Sequence, residues 1–443
     1  MIFKNIRDPA IGDLLPSRVA FEHLERVMKF AGWISPLKGT RFYWLYRAWS
    51  VLVTTLSGIY VPVGFFASYI INFSSFTPGD FLTSIQVAFN AACLFVKIVI
   101  LIPNVWRFQK AKDQLDIMDK RFVLEGEAIE IHRCVVRCNS VYMVYQTIYA
   151  SYSLLTYFSS VLTGSTPWGI YIPFVDYRSS THSLWLAATF ELIVGSGSVL
   201  LDLLVDIYPV IFGILLRTHI QLLMKRVARL RESTSKTEDE TYEELVNCVK
   251  DHKNILQYSD ILRPVISGTI FAQFLAIGLC LGLSMANLLF FSNIWTGLAT
   301  FVFIFVLMIQ TFPFCFICEL VEDDCIGLTN AIFHSNWIGA SKRYKTTLIY
   351  FLQQTQRTIT FIAGGIFPIC MKTNIEGNNA ARPTNKGNHK MATTTAAELA
   401  INDMRVKRTP TQQQLQQPQQ LPGHKDDGDN FTHRQQHRPT GRL

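Results

Sequence analysis

From Val265 to Cys318 the chain runs for 54 residues without one aspartate, glutamate, lysine or arginine. A helix rises 1.5 Å per residue, so roughly 20 residues cross the hydrocarbon of a bilayer. The run therefore predicts two crossings, Val265 to Phe291 and Ile294 to Cys318, hinged at Ser292 and Asn293. A buried hairpin of a water-soluble protein would keep a polar stripe or a longer polar loop.

The rest of the chain fits that class. Hydrophobic residues make up 49% of its 443 residues and charged ones only 17%, with a mean hydropathy of +0.22. Four more apolar stretches precede the long run: Ala48 to Ile70, Phe81 to Ile102, Val141 to Leu162 and Leu184 to Leu216. Lysines and arginines fall between them in an alternating way. The N-terminal segment 1–47 holds eight, Pro103 to Ser140 seven, Arg217 to Pro264 nine and Glu319 to Thr347 three. The other connectors hold none, one (Arg178) and none. Basic residues favour the cytoplasmic side, so the N-terminus is expected inside. The formal charge of +8 is then a topology signal and not a nucleic-acid surface.

Before the first span, Phe21, Leu24, Val27, Met28 and Ala31 recur at helical spacing. They predict a short helix that lies on the inner membrane surface or packs on other cytoplasmic segments. Trp44, Tyr46 and Trp49 read as interfacial anchors. No cleavable leader is visible in the first 47 residues, so the first crossing is expected to direct insertion. The connector 217–264 carries two helical apolar patterns around a polar break at Ser233 to Glu240, and both flanking spans are expected to continue into the cytoplasm. Asn72-Phe73-Ser74 is a glycosylation sequon in a connector assigned outside.

After the sixth span the pattern weakens. A partial seventh segment, 348–371, is interrupted by Gln353, Gln354, Gln356 and Arg357. Only Thr358 to Met371, fourteen residues, is free of charge. That length gives about 21 Å of helix against about 30 Å of hydrocarbon. Residues 376–443 contain nine Gln and five Pro and lack any core-forming period, which predicts a disordered tail on the cytoplasmic side. The expectation is six clear spans and an incomplete seventh.

Four ionisable residues lie inside predicted spans. Lys97, near the inner end of the second, is expected to snorkel to the interface. Asp202 and Asp206, one turn apart in the long fourth segment, are expected to pair with basic connectors or to flank a water-filled ion path, pairing being the plainer reading. Glu191 is nearer the outer side. The nine cysteines are scattered, and Cys315, Cys318 and Cys325 read as small buried thiols, not metal ligands. No nucleophile, triad or nucleotide loop emerges, so neither an enzyme nor a cofactor or metal is expected.

Several short motifs share one order: Ala31-Gly32-Trp33 with Pro36; Thr166-Pro167-Trp168-Gly169-Ile170-Tyr171-Ile172-Pro173-Phe174; Cys248 and His252. They continue with Pro313-Phe314-Cys315, Ser335-Asn336-Trp337, Lys345, and Thr360-Phe361-Ile362-Ala363-Gly364-Gly365-Ile366-Phe367-Pro368-Ile369. Together they resemble the insect odorant receptor family over about Gly12 to Asn374. The resemblance implies an all-α, seven-span bundle with a cytoplasmic N-terminus. It further implies an odorant-gated, non-selective cation channel, a heteromeric tetramer with the olfactory co-receptor, in the dendritic membrane of sensory neurons. Carried over by position, the outer-half pocket for a small volatile molecule would be lined by Phe81, Ile85, Phe89, Tyr149, Tyr152, Phe158, Trp185, Phe190 and Trp295. Trp168 and Tyr171 would form its lid, and His334, Trp337, Tyr344 and Lys345 a cytoplasmic anchor between subunits. Each aromatic residue taken singly also suits packing or lipid contact. The family continues past Pro368 with a further apolar helix where this chain turns to Glu376-Gly377-Asn378-Asn379. A metabotropic receptor, a non-conducting truncated form and, more remotely, a transporter are the competing functions.

Overall fold

The structure is a computed structural model that describes residues 14–34, 41–71, 78–121, 125–173, 180–232, 235–291 and 294–369. The described residues form a bundle of ten α-helices: α1 (Glu22–Phe30), α2 (Tyr43–Thr55), α3 (Val61–Ile71), α4 (Pro78–Leu101), α5 (Trp106–Asp119), α6 (Glu125–Leu162), α7 (Thr181–Ala228), α8 (Glu238–Phe290), α9 (Ile294–Phe333) and α10 (Lys342–Thr355). A π-helical turn, Leu56–Tyr60, joins α2 to α3 into one span. A short 3-10 turn, Ser17–Phe21, precedes α1.

Five helical stretches are long and apolar enough to cross a membrane: Tyr43–Ile71, Ser84–Asn104, Thr181–Ala228, Glu238–Phe290 and Phe303–Phe333. They coincide with five of the six expected crossings. The remaining one belongs to the 38-residue helix α6, whose outer part is diluted by Tyr, Ser and Thr. Helices α7, α8 and α9 run well past a bilayer's thickness; the amphipathic connector 217–264 predicts this for α7 and α8, and α9 extends inward to Phe333 as well.

Helix ends follow local chemistry. Ser180 and Ser183 form a reciprocal cap that starts α7, and Thr237 with Glu240 does the same for α8. Ser341 caps α10 through the Tyr344 N–H. Helix α7 is the axis of the fold and packs against α9, α6, α8 and α4. From Leu201 through Leu216 it is buried on nearly every side and apolar except at Asp202 and Asp206, as suits a surrounded helix.

Residues 358–369 depart from the expected partial helix. Helix α10 stops at Thr355, and the chain then forms an antiparallel hairpin, β1 (Ile362–Ala363) with β2 (Phe367–Pro368). Gly364 and Gly365 at its turn have φ of 57° and 75°, a left-handed conformation that glycine adopts without a Cβ clash. Pro368 has no N–H to continue a helix. The hairpin is fastened to α8, where the Gly364 N–H donates to the Ser267 carbonyl at 3.1 Å and the Ser267 hydroxyl donates to the Ile362 carbonyl at 2.6 Å. Asn72, the Trp295 side chain and the tail from 370 onward lie outside the described residues.

Candidate functional site

The outer end of the bundle is roofed by the connector 163–173, and one buried carboxylate holds it. Glu191 on α7, 0% exposed, accepts the backbone N–H of Trp168 at 2.8 Å and of Ile170 at 2.9 Å. A charged acceptor for two loop donors satisfies groups that would otherwise be orphaned in an apolar setting. Trp168 packs flat over Gly195, where a Cβ would come within 2.8 Å of the indole. Ile170 joins a cluster of Val61, Phe65, Tyr69, Ala88 and Val194. Tyr171 is tied to the first span: its N–H donates to the Gly64 carbonyl at 3.1 Å, and its carbonyl accepts the Tyr60 hydroxyl at 2.9 Å.

Beneath that roof the candidate pocket residues occupy distinct settings. On α6 and α7, Tyr157 meets Phe158 and Trp185 edge to face, with centroids 5.3 and 6.4 Å away. Tyr152, Phe158 and Trp185 remain about half exposed on this flank. Phe190 turns the other way and meets Tyr60 at 6.0 Å. On α4, Phe81 packs against Tyr69, whereas Phe89 lies against Ile277, Cys280 and Leu307 of α8 and α9. Ile85 is half-buried on the same helix. The aromatic residues thus form separate walls, with the α6–α7 flank the more open.

Tyr149 belongs to a different environment, a polar node inside the bundle. Its hydroxyl donates to Asp206 Oδ2 at 2.7 Å, and Lys97 Nζ lies 2.7 Å from Asp206 Oδ1 and 3.6 Å from Asp202 Oδ1. Lys97 is 2% exposed and does not snorkel. Asp202 and Asp206 pair with this lysine, not with basic connectors, because α4 and α7 bring the opposite charges to one depth. Isolated charges there would carry a desolvation penalty of several kcal/mol. Opposite charges in the second and fourth spans were visible in the sequence. Their shared depth was not.

The inner end is held by ion pairs. Arg226 bridges Glu127 at 2.8 Å and Asp251 at 2.7 Å; Arg229 also reaches Glu127 at 2.9 Å, and Arg121 pairs with Asp251. Arg217 pairs with Asp324 at 2.7 Å. The N-terminal turn docks here too. The Ser17 N–H and hydroxyl donate to Asp119 at 2.8 and 2.7 Å, and the Ser17 hydroxyl lies 3.3 Å from His219 Nε2. Burial pushes Asp119 up to about 6 and His219 down to about 3.

Of the anchor candidates, Tyr344 is fully buried in its own chain beneath the Arg231 guanidinium, 5.5 Å from the ring centroid. His334 is exposed and its Nδ1 lies 2.8 Å from the Asn330 carbonyl; the Trp337 indole N–H donates to the Phe333 carbonyl at 3.1 Å, and Lys345 is half-buried. His334 and the neighbouring Ile338, 77% exposed, are among the exposed residues described at this end.

Comparison with known proteins connects these features to a family. Residues 77–381 match the model of the 7tm Odorant receptor family. Odorant receptor 42b of Drosophila melanogaster is 48% identical over 375 residues, which cover 85% of this chain and 94% of the relative. Odorant receptor 59b of the same fly is 44% identical over 374 residues, 84% of this chain and 94% of the relative. Among solved structures, the olfactory receptor OR5 of the insect Machilis hrabei superposes with a TM-score of 0.69 at 15% identity, over 81% of this chain and 94% of that one. The same receptor in complex with eugenol gives 0.66 at 17% identity, with the same coverage.

Proposed function

Since the chain belongs to the insect odorant receptor family and is a multi-pass membrane protein, we propose that it is the odorant-binding subunit of a ligand-gated, non-selective cation channel. It assembles with the olfactory co-receptor in the dendritic membrane of sensory neurons. The carrying observation is the outer end: half-exposed aromatic rings on α6 and α7 beneath a connector pinned by Glu191. An apolar, aromatic wall with few polar groups suits a small, neutral, volatile organic molecule. No enzyme role is proposed, as the family is a receptor family.

The test is co-expression with the co-receptor under voltage clamp, using a panel of ethyl esters, alcohols and eugenol, the last because a relative was solved with it. Cation current that needs both subunits is the expected result. An odorant-dependent second-messenger signal that persists without the co-receptor would sink the channel reading in favour of a metabotropic one.

The C-terminal region supports a second proposal. Residues 362–368 form a hairpin rather than a helix, and the sequence from Glu376 onward carries no apolar stretch long enough to cross, so this form is proposed to keep six spans and an internal tail, with no ordinary pore helix. Antibody access to a C-terminal tag on intact cells tests it. External labelling together with odorant current of normal size would restore seven spans.

A further inference from the structure

The polar node joins more of the bundle than any ligand wall does. Lys97 comes from α4, Tyr149 from α6, Asp202 and Asp206 from α7, Gln273 from α8 and Gln310 from α9. Gln310 Nε2 donates to the Tyr149 hydroxyl at 3.4 Å and to Asp202 Oδ2 at 3.4 Å, and Gln273 Nε2 donates to Gln310 Oε1 at 3.0 Å. Cys93 Sγ lies 3.8 Å from Gln273 Oε1. Lys97, Asp206, Gln273 and Gln310 are all buried, so each bond forms where water cannot substitute for it.

Tyr149 sits at the border of this node and the aromatic outer half. One turn inward, Tyr145 stacks on it with centroids 6.5 Å apart and donates to the Ile309 carbonyl at 3.1 Å. One turn outward, Tyr152 is half exposed on the open flank. The Tyr149 ring is itself half-buried, while its hydroxyl both donates to Asp206 and accepts from Gln310. The hydroxyl is therefore engaged by the node, and the ring is what remains for a ligand. Where that ring stands depends on a carboxylate that Lys97 holds from the other side.

We propose that Asp206, braced by Lys97, is a positioning residue for Tyr149 and thereby sets the floor of the odorant site. The inference rests on the odorant-receptor reading. The floor so made presents an aromatic face and no unengaged donor, which favours ligands recognised by shape and ring contact over ligands that must be hydrogen-bonded at their inner end.

Asp206→Asn is a suitable probe because it leaves Lys97 facing Asp202, one positive charge against one negative. It weakens the Tyr149 bond by removing the acceptor's charge, whereas Tyr149→Phe removes a single oxygen and abolishes that bond from the other side. Each variant, co-expressed with the co-receptor, is assayed against ethyl esters, alcohols and eugenol, with surface density measured alongside. Both are expected to reorder the odorants by changes in relative potency of about fivefold, the scale of the net contribution of one intramolecular hydrogen bond. The double variant is expected to match the singles rather than sum them, since both free the same ring. Additive shifts, or a uniform loss for every odorant with the order kept, would overturn the proposal. If Asp206→Asn does not reach the surface, Tyr149→Phe decides alone, and an unchanged order overturns the proposal. A wild-type protein silent to every odorant would instead defeat the receptor reading itself.

Discussion

The two ends of this bundle are held by opposite chemistry. At the inner end, long helices are cross-tied by arginine–carboxylate bridges, with Arg226 reaching both Glu127 and Asp251. At the outer end one buried carboxylate, Glu191, holds a connector over rings that stay half exposed. The inner end gains rigidity from paired charges whose loss is costly. The outer end keeps apolar surface open, and an open apolar wall is what a small neutral ligand can use. A receptor that must keep its helices fixed at one end yet admit a molecule at the other gains from that division.

The sharpest way to break the comparison is at Arg226. Arg226→Met would leave Glu127 and Asp251 buried without their shared partner, although Arg229 and Arg121 retain one bridge each. Removing one member of a buried pair costs about 3–5 kcal/mol, so a severe fall in surface expression and in detergent melting temperature is expected. A variant that expresses and melts like wild type would show that the inner bridges do not carry the bundle. Next in size is Glu191→Ala, which orphans the N–H groups of Trp168 and Ile170. Charge-assisted bonds of this kind contribute about 1.5–3 kcal/mol each. Hydrogen exchange at 168–171 should rise while the inner helices stay protected, and protection unchanged at the roof would refute the pinning role.

A smaller and more selective effect is expected at the open flank. Tyr152→Ala or Phe190→Ala should shift the potency of at least one odorant about tenfold, equivalent to about 1.4 kcal/mol, with surface density unaltered. Phe190 is the weaker candidate of the two, because its ring turns toward Tyr60 rather than toward the α6–α7 flank. Unchanged potency for every active odorant would remove both from the site.

Much of the architecture was legible because a bilayer imposes lengths and charge asymmetry that a sequence shows directly. The charge-free run 265–318 became the outer parts of α8 and α9, and the amphipathic connector 217–264 became the cytoplasmic extensions of α7 and α8. The helix Glu22–Phe30 was readable from apolar spacing alone. What spacing could not show was which helices meet. Lys97 looked free to snorkel until α7 placed two aspartates beside it. Tyr149 looked like one more pocket aromatic until its hydroxyl was found on Asp206. Nor does hydropathy separate a half-helix from a hairpin: residues 358–369 are apolar either way, and it is Gly364, Gly365 and Pro368 that decide.

The subtlest prediction concerns the N-terminal turn, where two buried titratable groups oppose each other. Ser17 touches both Asp119 and His219, whose nearest ring nitrogen lies 4.0 Å from the carboxylate. Asp119 is raised from its ordinary 3.8 to about 6 by burial, with Asp116 adding to the shift and the Ser17 donors opposing it. The folded protein therefore binds that proton more tightly than the unfolded chain, and this group's contribution to stability weakens as pH rises from 3.8 through about 6. His219 is lowered from 6.5 to about 3 by burial and by nearby Arg226, so its contribution is complete above 6.5 and is lost as pH falls toward 3. Between about 4 and 6 the two slopes, each at most about 1.4 kcal/mol per pH unit, run in opposite directions. The contribution of these two groups to the stability of the inner end should consequently be nearly flat with pH in that window. Asp119→Asn removes one slope and should unmask the other, so that stability falls steadily as pH drops below 6.5. Chemical unfolding of detergent-solubilised protein at several pH values, followed by a fluorophore pair spanning the turn and α5, would report it. A variant whose pH dependence matches that of the wild type would show that Asp119 does not offset His219.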